Sequence, residues 1–423
     1  MQADAVEVHL DDEALGLVEV GRLLPSFTGP RVLASSSFQY SEDYLSLSGA
    51  FAISPDLPLT SGRIWAPESH VLFGAFEDAS PDEWGQHLIA ANHAERRKRD
   101  SRIPPLRGSW DHLLGVSDVS RIGALRFRRG DGDWLSSDDG VANIHELDRI
   151  VRIAARYEDD DATDDEIAYL SGIATSPGGA RPKANVRRED GRLALAKLPH
   201  SKDGDLDVER WEAVALTLAA RSGLSTPEWT LVRASPGTSV LVVDRFDRIA
   251  AGGRRAYLSA ASALGIGAND PSRYTYEQFS DVLNDLSADP RSDLHEMFGR
   301  IALSVLINNV DDHWRNHGFV RQADGWRLAP LFDVNPSTSI GVVTSRPINE
   351  LDDPRNRSLE NLLDIADAYR LTRTAGAAII RRVATAVAAW REAAAELDLA
   401  RSEVGRMDRA FDSTRIGEGA VLQ

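Results

Sequence analysis

Apolar and polar residues alternate in short runs through the front of the chain and settle into helical spacing toward its end. Residues 5–75 hold AVEVHL, SSSFQYSEDYL and FAISPDLPL, separated by Gly, Pro and Ser, a pattern of short strands and turns. PDEWGQHLIAANHAERRK, 81–98, has the texture of a helix with Pro81 near its first turn. SRIPPLRGSWD, 101–111, reads as loop, LLGVSDVSRIGALRFR as the approach to a strand, and GDGDWLSSDDG as a turn. The acidic run EDDDATDDEIA, 158–168, reads as an exposed boundary.

The texture then changes. A glycine-rich stretch at 172–183 precedes a hairpin built from ANVRR, the turn EDG and RLALAKLP. LDVERWEAVALTLAARSG is a helix stopped by Gly223, and LSTPEWTLV and TSVLVVDRFDR are two further strands. From about residue 259 the pattern is mostly helical, with a helix at 294–307, one hairpin at 317–333 and closing helices in the Ala-rich 371–411. The last dozen residues are expected to fray. The chain divides by texture into a β-rich front (1–155), an α/β middle (156–245) and a helical back (246–423).

Composition narrows the class. The 423 residues include no Cys, which excludes disulfides, thiol catalysis and Cys-zinc sites and fits a cytoplasmic protein. No run approaches the roughly 18 apolar residues of a membrane span, and the N-terminus has no signal-peptide pattern. The net charge of −17 argues against direct nucleic-acid binding by the whole surface. The basic run AERRKRDSR, 94–102, reads as a solvated helix end.

Four elements carry candidate chemistry. In TSPGGARPKA, Gly178 and Gly179 let successive N–H groups converge on an anion, and Lys183 adds a charge; the bland alternative is a plain turn. In RLALAKLP, Lys197 shares a strand face with Leu193 and Leu195. It reads as an edge lysine reaching water, or as an anion-binding lysine paired with Glu212 or, failing that, Glu209 of the next helix. In NNVDDHWRNHGFV, Asp311 and Asn316 stand five apart with His313 between, the spacing of a kinase catalytic base and metal-binding Asn. The alternatives are helix and turn capping, or a hydrolytic metal site of Asp311, Asp312, His313 and His317. Last, HGFVRQADGWRLAPLFDVNPS reads as a hairpin ending in Asp333, where a kinase places its metal-binding Asp. The order of all four favours a kinase.

These residues resemble the HipA family, the serine/threonine kinase toxins of bacterial toxin–antitoxin pairs. The likeness rests on FAISPDLPL, FEDASPDEWG and LLGVSDVSRIGALRF in front. Further on it rests on SPGGARPKA, LAKLP, VERWEAVALTLAARSGL, VDRFDR, NNVDDHWRNH and LFDVNPS. The resemblance implies an α+β, two-lobed protein-kinase-like fold related to phosphoinositide kinases. It would have a β-rich N-terminal lobe preceded by an extra subdomain, and a mostly α-helical C-terminal lobe. It implies Asp311 as catalytic base, Asn316 and Asp333 on Mg²⁺, Lys197 on the ATP α/β phosphates, and Asp244, Arg245 and Phe246 as the adenine hinge. Ser176, followed by Pro177, Gly178 and Gly179, matches the autophosphorylated serine of the ATP loop. The implied partners are a protein substrate of the aminoacyl-tRNA synthetase class and a small helix-turn-helix antitoxin of HipB type. DNA would be contacted only through that antitoxin, either beside the kinase activity or, as the alternative, with the chain chiefly a co-repressor. Two departures stand out. The family loop D-G-H-x-K-N is Asp311-Asp312-His313-Trp314-Arg315-Asn316 here, which leaves the base open between two Asp, and Pro177 and Pro182 stiffen the glycine-rich loop.

Overall fold

The computed structural model describes residues 4–29, 32–137, 140–174, 179–235, 238–249, 252–267, 274–339, 346–353 and 357–422. Ser176, Pro177 and Gly178 lie outside the described residues. The chain forms two compact units, one of Met1–Ser201, Val232–Asp270 and Val320–Ala323, the other of Lys202–Leu231, Pro271–Phe319 and Asp324–Gln423.

The first unit is built on two five-stranded sheets. The front strands β1 (Val6–Asp12), β2 (Gly16–Thr28), β3 (Val32–Tyr40), β4 (Arg63–Trp65) and β5 (Leu125–Arg128) pair antiparallel in the order β4-β3-β2-β1-β5. Alternation sends Val8, Leu23, Phe38 and Phe127 to a fully buried face. There Phe76 meets the rings of Phe38 at 5.6 Å and Phe127 at 6.1 Å. Each such side chain contributes about 1.5–3 kcal/mol by leaving water.

The second sheet runs β6-β7-β8-β10-β9, with β6 (Ala142–Asn143), β7 (Lys183–Arg187), β8 (Leu193–Lys197), β9 (Trp229–Ser235) and β10 (Thr238–Asp244). β7 and β8 form the hairpin that EDG predicts, with Ala184 opposite Ala196. Ala184, Val186, Ala194, Ala196 and Val242 form its core face, closed by helix Leu147–Glu158, helix Asp164–Ile173 and Trp84 and Leu88 of helix Glu83–Arg99. Leu193, Leu195 and Lys197 lie on the half-buried face instead, so the small residues pack inward and the larger ones line the open side. The boundary expected from the acidic run is itself structured. Thr163 and Glu166 make a capping box, and Asp164, Asp165 and Glu166 fill the first turn of helix Asp164–Ile173, where carboxylates suit the helix dipole.

The second unit is mainly helical around Pro290–Leu306, which is buried from Met297 to Leu306. Helix Val208–Arg221 packs here, with Trp211 against Trp390 and Phe411 at about 6 Å between ring centroids. Glu403 fixes its start by accepting the Asp207 N–H at 2.8 Å and the Trp211 indole N–H at 2.9 Å. The chain end departs from expectation. Ser413–Val421 is a helix capped by Asp412, with Ile416 buried. A Cβ on its Gly419 would stand 3.0 Å from Leu359 Cδ1 and 3.1 Å from Ala384 Cβ, so this helix packs closely and does not fray.

Candidate active site

The second unit holds the Asp311–Asn316 loop. Helix Pro290–Leu306 ends at Ile307, and Asn308 turns the chain with a left-handed φ of 52°, which Asn tolerates better than most residues. The Asn308 amide donates to Ser337 O at 2.6 Å and so ties the start of the loop to the segment that follows Asp333. The two adjacent Asp then part company. Asp311 is exposed, and its carbonyl accepts Asn316 Nδ2 at 2.8 Å. Asp312 is buried at 1% exposure. Its Oδ1 pairs with His317 Nε2 at 2.9 Å, while Oδ2 accepts Tyr276 Oη–H at 2.6 Å and Arg357 Nη1 at 3.1 Å.

Arg357 also donates to the carbonyls of Asn309 at 2.6 Å and Ser304 at 3.3 Å, which joins the carboxylate to the backbone on both sides of the helix end. Burial alone would raise the Asp312 pKa. The hydrogen bond and charge of His317, then Arg357 and Tyr276, outweigh it and hold the carboxyl below the usual carboxylate range. Burial and the Asp312 charge push the Tyr276 phenol well above its ordinary value. Within the loop the buried Trp314 packs on the helical core, its ring centroid 4.9 Å from that of Phe279 and 5.1 Å from that of Tyr276.

This geometry disposes of the hydrolytic metal cluster. Asp312 and His317 are bonded to each other beside a guanidinium, and no group of three metal-ligating side chains occurs among the described residues. The imidazole that braces the loop is that of His317. His313 is half-buried, with Nδ1 unpartnered, and its carbonyl accepts the Asn316 N–H at 2.8 Å.

The segment Gly318–Gln322 and Gly325–Leu328 forms the expected hairpin, closed by the Ala329 N–H on Gly318 O at 2.8 Å. Leu331 N–H then anchors to Ser225 O at 2.8 Å, and Asp333 follows, half-buried in a left-handed conformation with φ 55°. Asn316 spends its amide N–H on Asp311 O, which leaves its Oδ1 as the acceptor. One amide oxygen and one carboxylate would suit Mg²⁺, which takes few protein oxygens and completes its shell with phosphate and water.

The first unit holds the remaining candidates. Gly179 takes φ +95°, a conformation open to glycine. Lys183 does not supply a spare charge to the glycine-rich stretch. Its Nζ sits 2.5 Å from Asp82 Oδ2 and 2.9 Å from Gly179 O, with both side chains nearly fully buried. Lys197 is half-buried at the end of β8, opposite Leu241 of β10. Asp244 is ion-paired with Arg188 and Arg192. Arg245 binds Asp247 with Nε at 2.7 Å and Nη2 at 2.6 Å, and Ser120 O and Asn185 Oδ1 with Nη1 at 3.0 Å. These side chains are engaged with protein groups, so recognition at Asp244–Phe246 would fall to the backbone. The Arg245 N–H is itself bonded to Leu193 O at 3.1 Å. In the second unit Glu209 and Glu212 are both buried on helix Val208–Arg221. The basic run is largely ion-paired, Lys98 with Glu95, Arg99 with Asp164 and Arg102 with Asp100.

Sequence reasoning missed Tyr276, Arg357 and Asp82, and the part of His317 in bracing the loop. Only His317 lies within the motif; the other three come from 36, 45 and 101 residues away along the chain.

A β-rich unit with a strand lysine, and a helical unit with the Asp-x₄-Asn loop and the hairpin-borne Asp, define a two-lobed, protein-kinase-like α+β fold. Residues 175–390 match the family model for the HipA-like C-terminal domain, and residues 13–103 match that for the HipA N-terminal domain. The chain belongs to the HipA family. Its fold is similar to a chain in the structure of the Shewanella oneidensis MR-1 toxin–antitoxin system HipA, HipB and its operator DNA complex. The TM-score is 0.69 at 18% identity over 98% of this chain and 96% of that one. In sequence it is 25% identical, over 74% of its length and 75% of the relative's, to "Putative kinase Y4mE" of Sinorhizobium fredii (strain NBRC 101917 / NGR234). No helix among the described residues is long and apolar enough to cross a membrane.

Proposed function

We propose that this protein is an ATP-dependent serine/threonine kinase of HipA type, the toxin of a toxin–antitoxin pair. The observation that carries the reading is the division of labour between adjacent carboxylates. Asp312 is locked in a buried network, while Asp311 is exposed on the loop that the network braces, its carbonyl tied to Asn316. In this scheme Asp311 accepts the proton of a Ser or Thr hydroxyl as its oxygen attacks the γ-phosphorus of ATP, and ADP leaves. Asn316 and Asp333 would hold Mg²⁺, which neutralises charge on the phosphoryl oxygens when bound. Lys197 meets the α/β phosphates, and the backbone at Asp244–Phe246 meets adenine.

The substrate class is a translation component, an aminoacyl-tRNA synthetase by family resemblance. Ser176 is the autophosphorylation site. Its modification brings nearly two negative charges into a stretch suited to holding phosphate, so the same charges would repel ATP and switch the enzyme off. Purified protein incubated with γ-labelled ATP and Mg²⁺ should label itself at Ser176, and the Asp311→Ala variant should not.

A second role concerns partners. The fold relative was solved with HipB and operator DNA, and this chain carries a net charge of −17 with its basic run mostly paired internally. These features support a HipB-type antitoxin as the DNA-binding partner, with this chain reaching DNA only through it. An operator shift that needs the antitoxin and is strengthened by this protein tests that role. If Asp311→Ala strengthens the shift equally and the wild-type protein transfers no label, the co-repressor reading replaces the kinase.

A further inference from the structure

Asp82 does two things at once. Its Oδ1 caps helix Glu83–Arg99 by accepting the Gly85 N–H at 2.7 Å, and its Oδ2 holds Lys183 Nζ at 2.5 Å. Lys183 in turn donates to Gly179 O at 2.9 Å. The same helix start closes on the other end of the glycine-rich stretch. A Cβ on Gly85 would stand 2.9 Å from Pro81 Cβ and 3.4 Å from Ala174 O. One turn of helix thus meets the stretch at Ala174 and, through Lys183, at Gly179.

The charge has a second consequence. Lys183 stands directly opposite Lys197 in the β7–β8 ladder, a position where like charges repel. Asp82 compensates the charge of Lys183, so the group facing Lys197 across the ladder is an ion pair and not a second bare cation. A buried ion pair is a poor device for stability alone, because desolvation offsets most of its attraction. Its geometry here serves the loop.

We propose that Asp82 is a positioning residue for nucleotide binding. Through Lys183 it fixes the Gly179 stem of the glycine-rich stretch and sets the charge facing Lys197. The region matched by the N-terminal family model thereby supplies part of the support for the phosphate site. This inference rests on the proposed ATP role of that stretch and of Lys197.

The test is the double variant Asp82→Asn/Lys183→Met. Asn caps a helix as well as Asp does, and Met fills the volume of the lysine stem without its charge. The variant should keep its thermal midpoint within a few degrees, because the whole buried pair is replaced. KM for ATP should rise roughly tenfold while kcat stays within about threefold, as loss of one charge-assisted stem bond implies. Amide hydrogen exchange in a peptide spanning 179–187, which holds Gly179 and Lys183, should quicken in the absence of ATP. Unchanged KM with unchanged exchange overturns the proposal, as does a common fall in kcat and stability with KM unmoved. Faster exchange in a protein whose wild type binds no ATP keeps the clamp but removes its nucleotide role, which separates this failure from that of the clamp itself.

Discussion

Replacing Asp311 and Asp312 one at a time should separate chemistry from stability. Asp312→Ala leaves the Arg357 guanidinium buried without its carboxylate, and removes the acceptor of Tyr276 Oη–H and the partner of His317. Breaking one side of a buried pair costs about 3–5 kcal/mol, against a total stability of roughly 5–15 kcal/mol. At about 2–4 °C per kcal/mol for a unit of this size, the midpoint should fall by on the order of 10 °C. Asp311 is exposed, and what it gives Asn316 is a backbone carbonyl that Ala also has. Asp311→Ala should change stability by no more than about 0.5 kcal/mol. It should nevertheless lower phosphate transfer by about 10²–10⁴, the usual contribution of a general base, with ATP affinity nearly intact. Scanning calorimetry and a labelled-ATP transfer assay on both variants decide it. A stable but inactive Asp312→Ala, beside an active Asp311→Ala, would refute the assignment and reverse the two roles.

Other expectations follow from the same geometry. The folded pKa of Asp312 lies below that of an unfolded Asp, about 3.9. Its contribution is therefore full above that value and is lost as pH falls through the folded pKa. Asp312→Asn cannot titrate, so its stability should fall less steeply than the wild type's below about pH 4, measured by urea unfolding across pH. Glu403→Ala strands the Trp211 indole N–H and the Asp207 N–H, which should cost about 2–4 kcal/mol in a urea titration without moving KM for ATP. Lys197→Met should raise KM for ATP at least roughly tenfold with little loss of stability, since the side chain is half-buried at a strand end.

Local pattern carried much of the fold and the order of the site. The β7–β8 hairpin, helix Val208–Arg221, helix Pro290–Leu306 and the hairpin before Asp333 each depend on periodicity and turn residues within a few positions. The Asp311–Asn316 spacing is local too. What stayed hidden depends on distant chain. Lys183 looked like a spare charge because Asp82 is 101 residues away, and Asp312 looked like a rival base because Tyr276 and Arg357 are 36 and 45 residues away. Two further cues are local. Thr163 three residues before Glu166 is a capping-box signature inside a run that charge alone reads as boundary. Asp412 before Ser413–Val421 is an ordinary N-cap at the chain end, and close packing at Gly419 holds that helix in place.

The most direct test of the central claim is transfer of γ-labelled phosphate with Mg²⁺ by the wild-type protein and by Asp311→Ala, each first shown to be folded. Label on the wild type and none on the variant is the predicted result. Equal label on both would contradict the account.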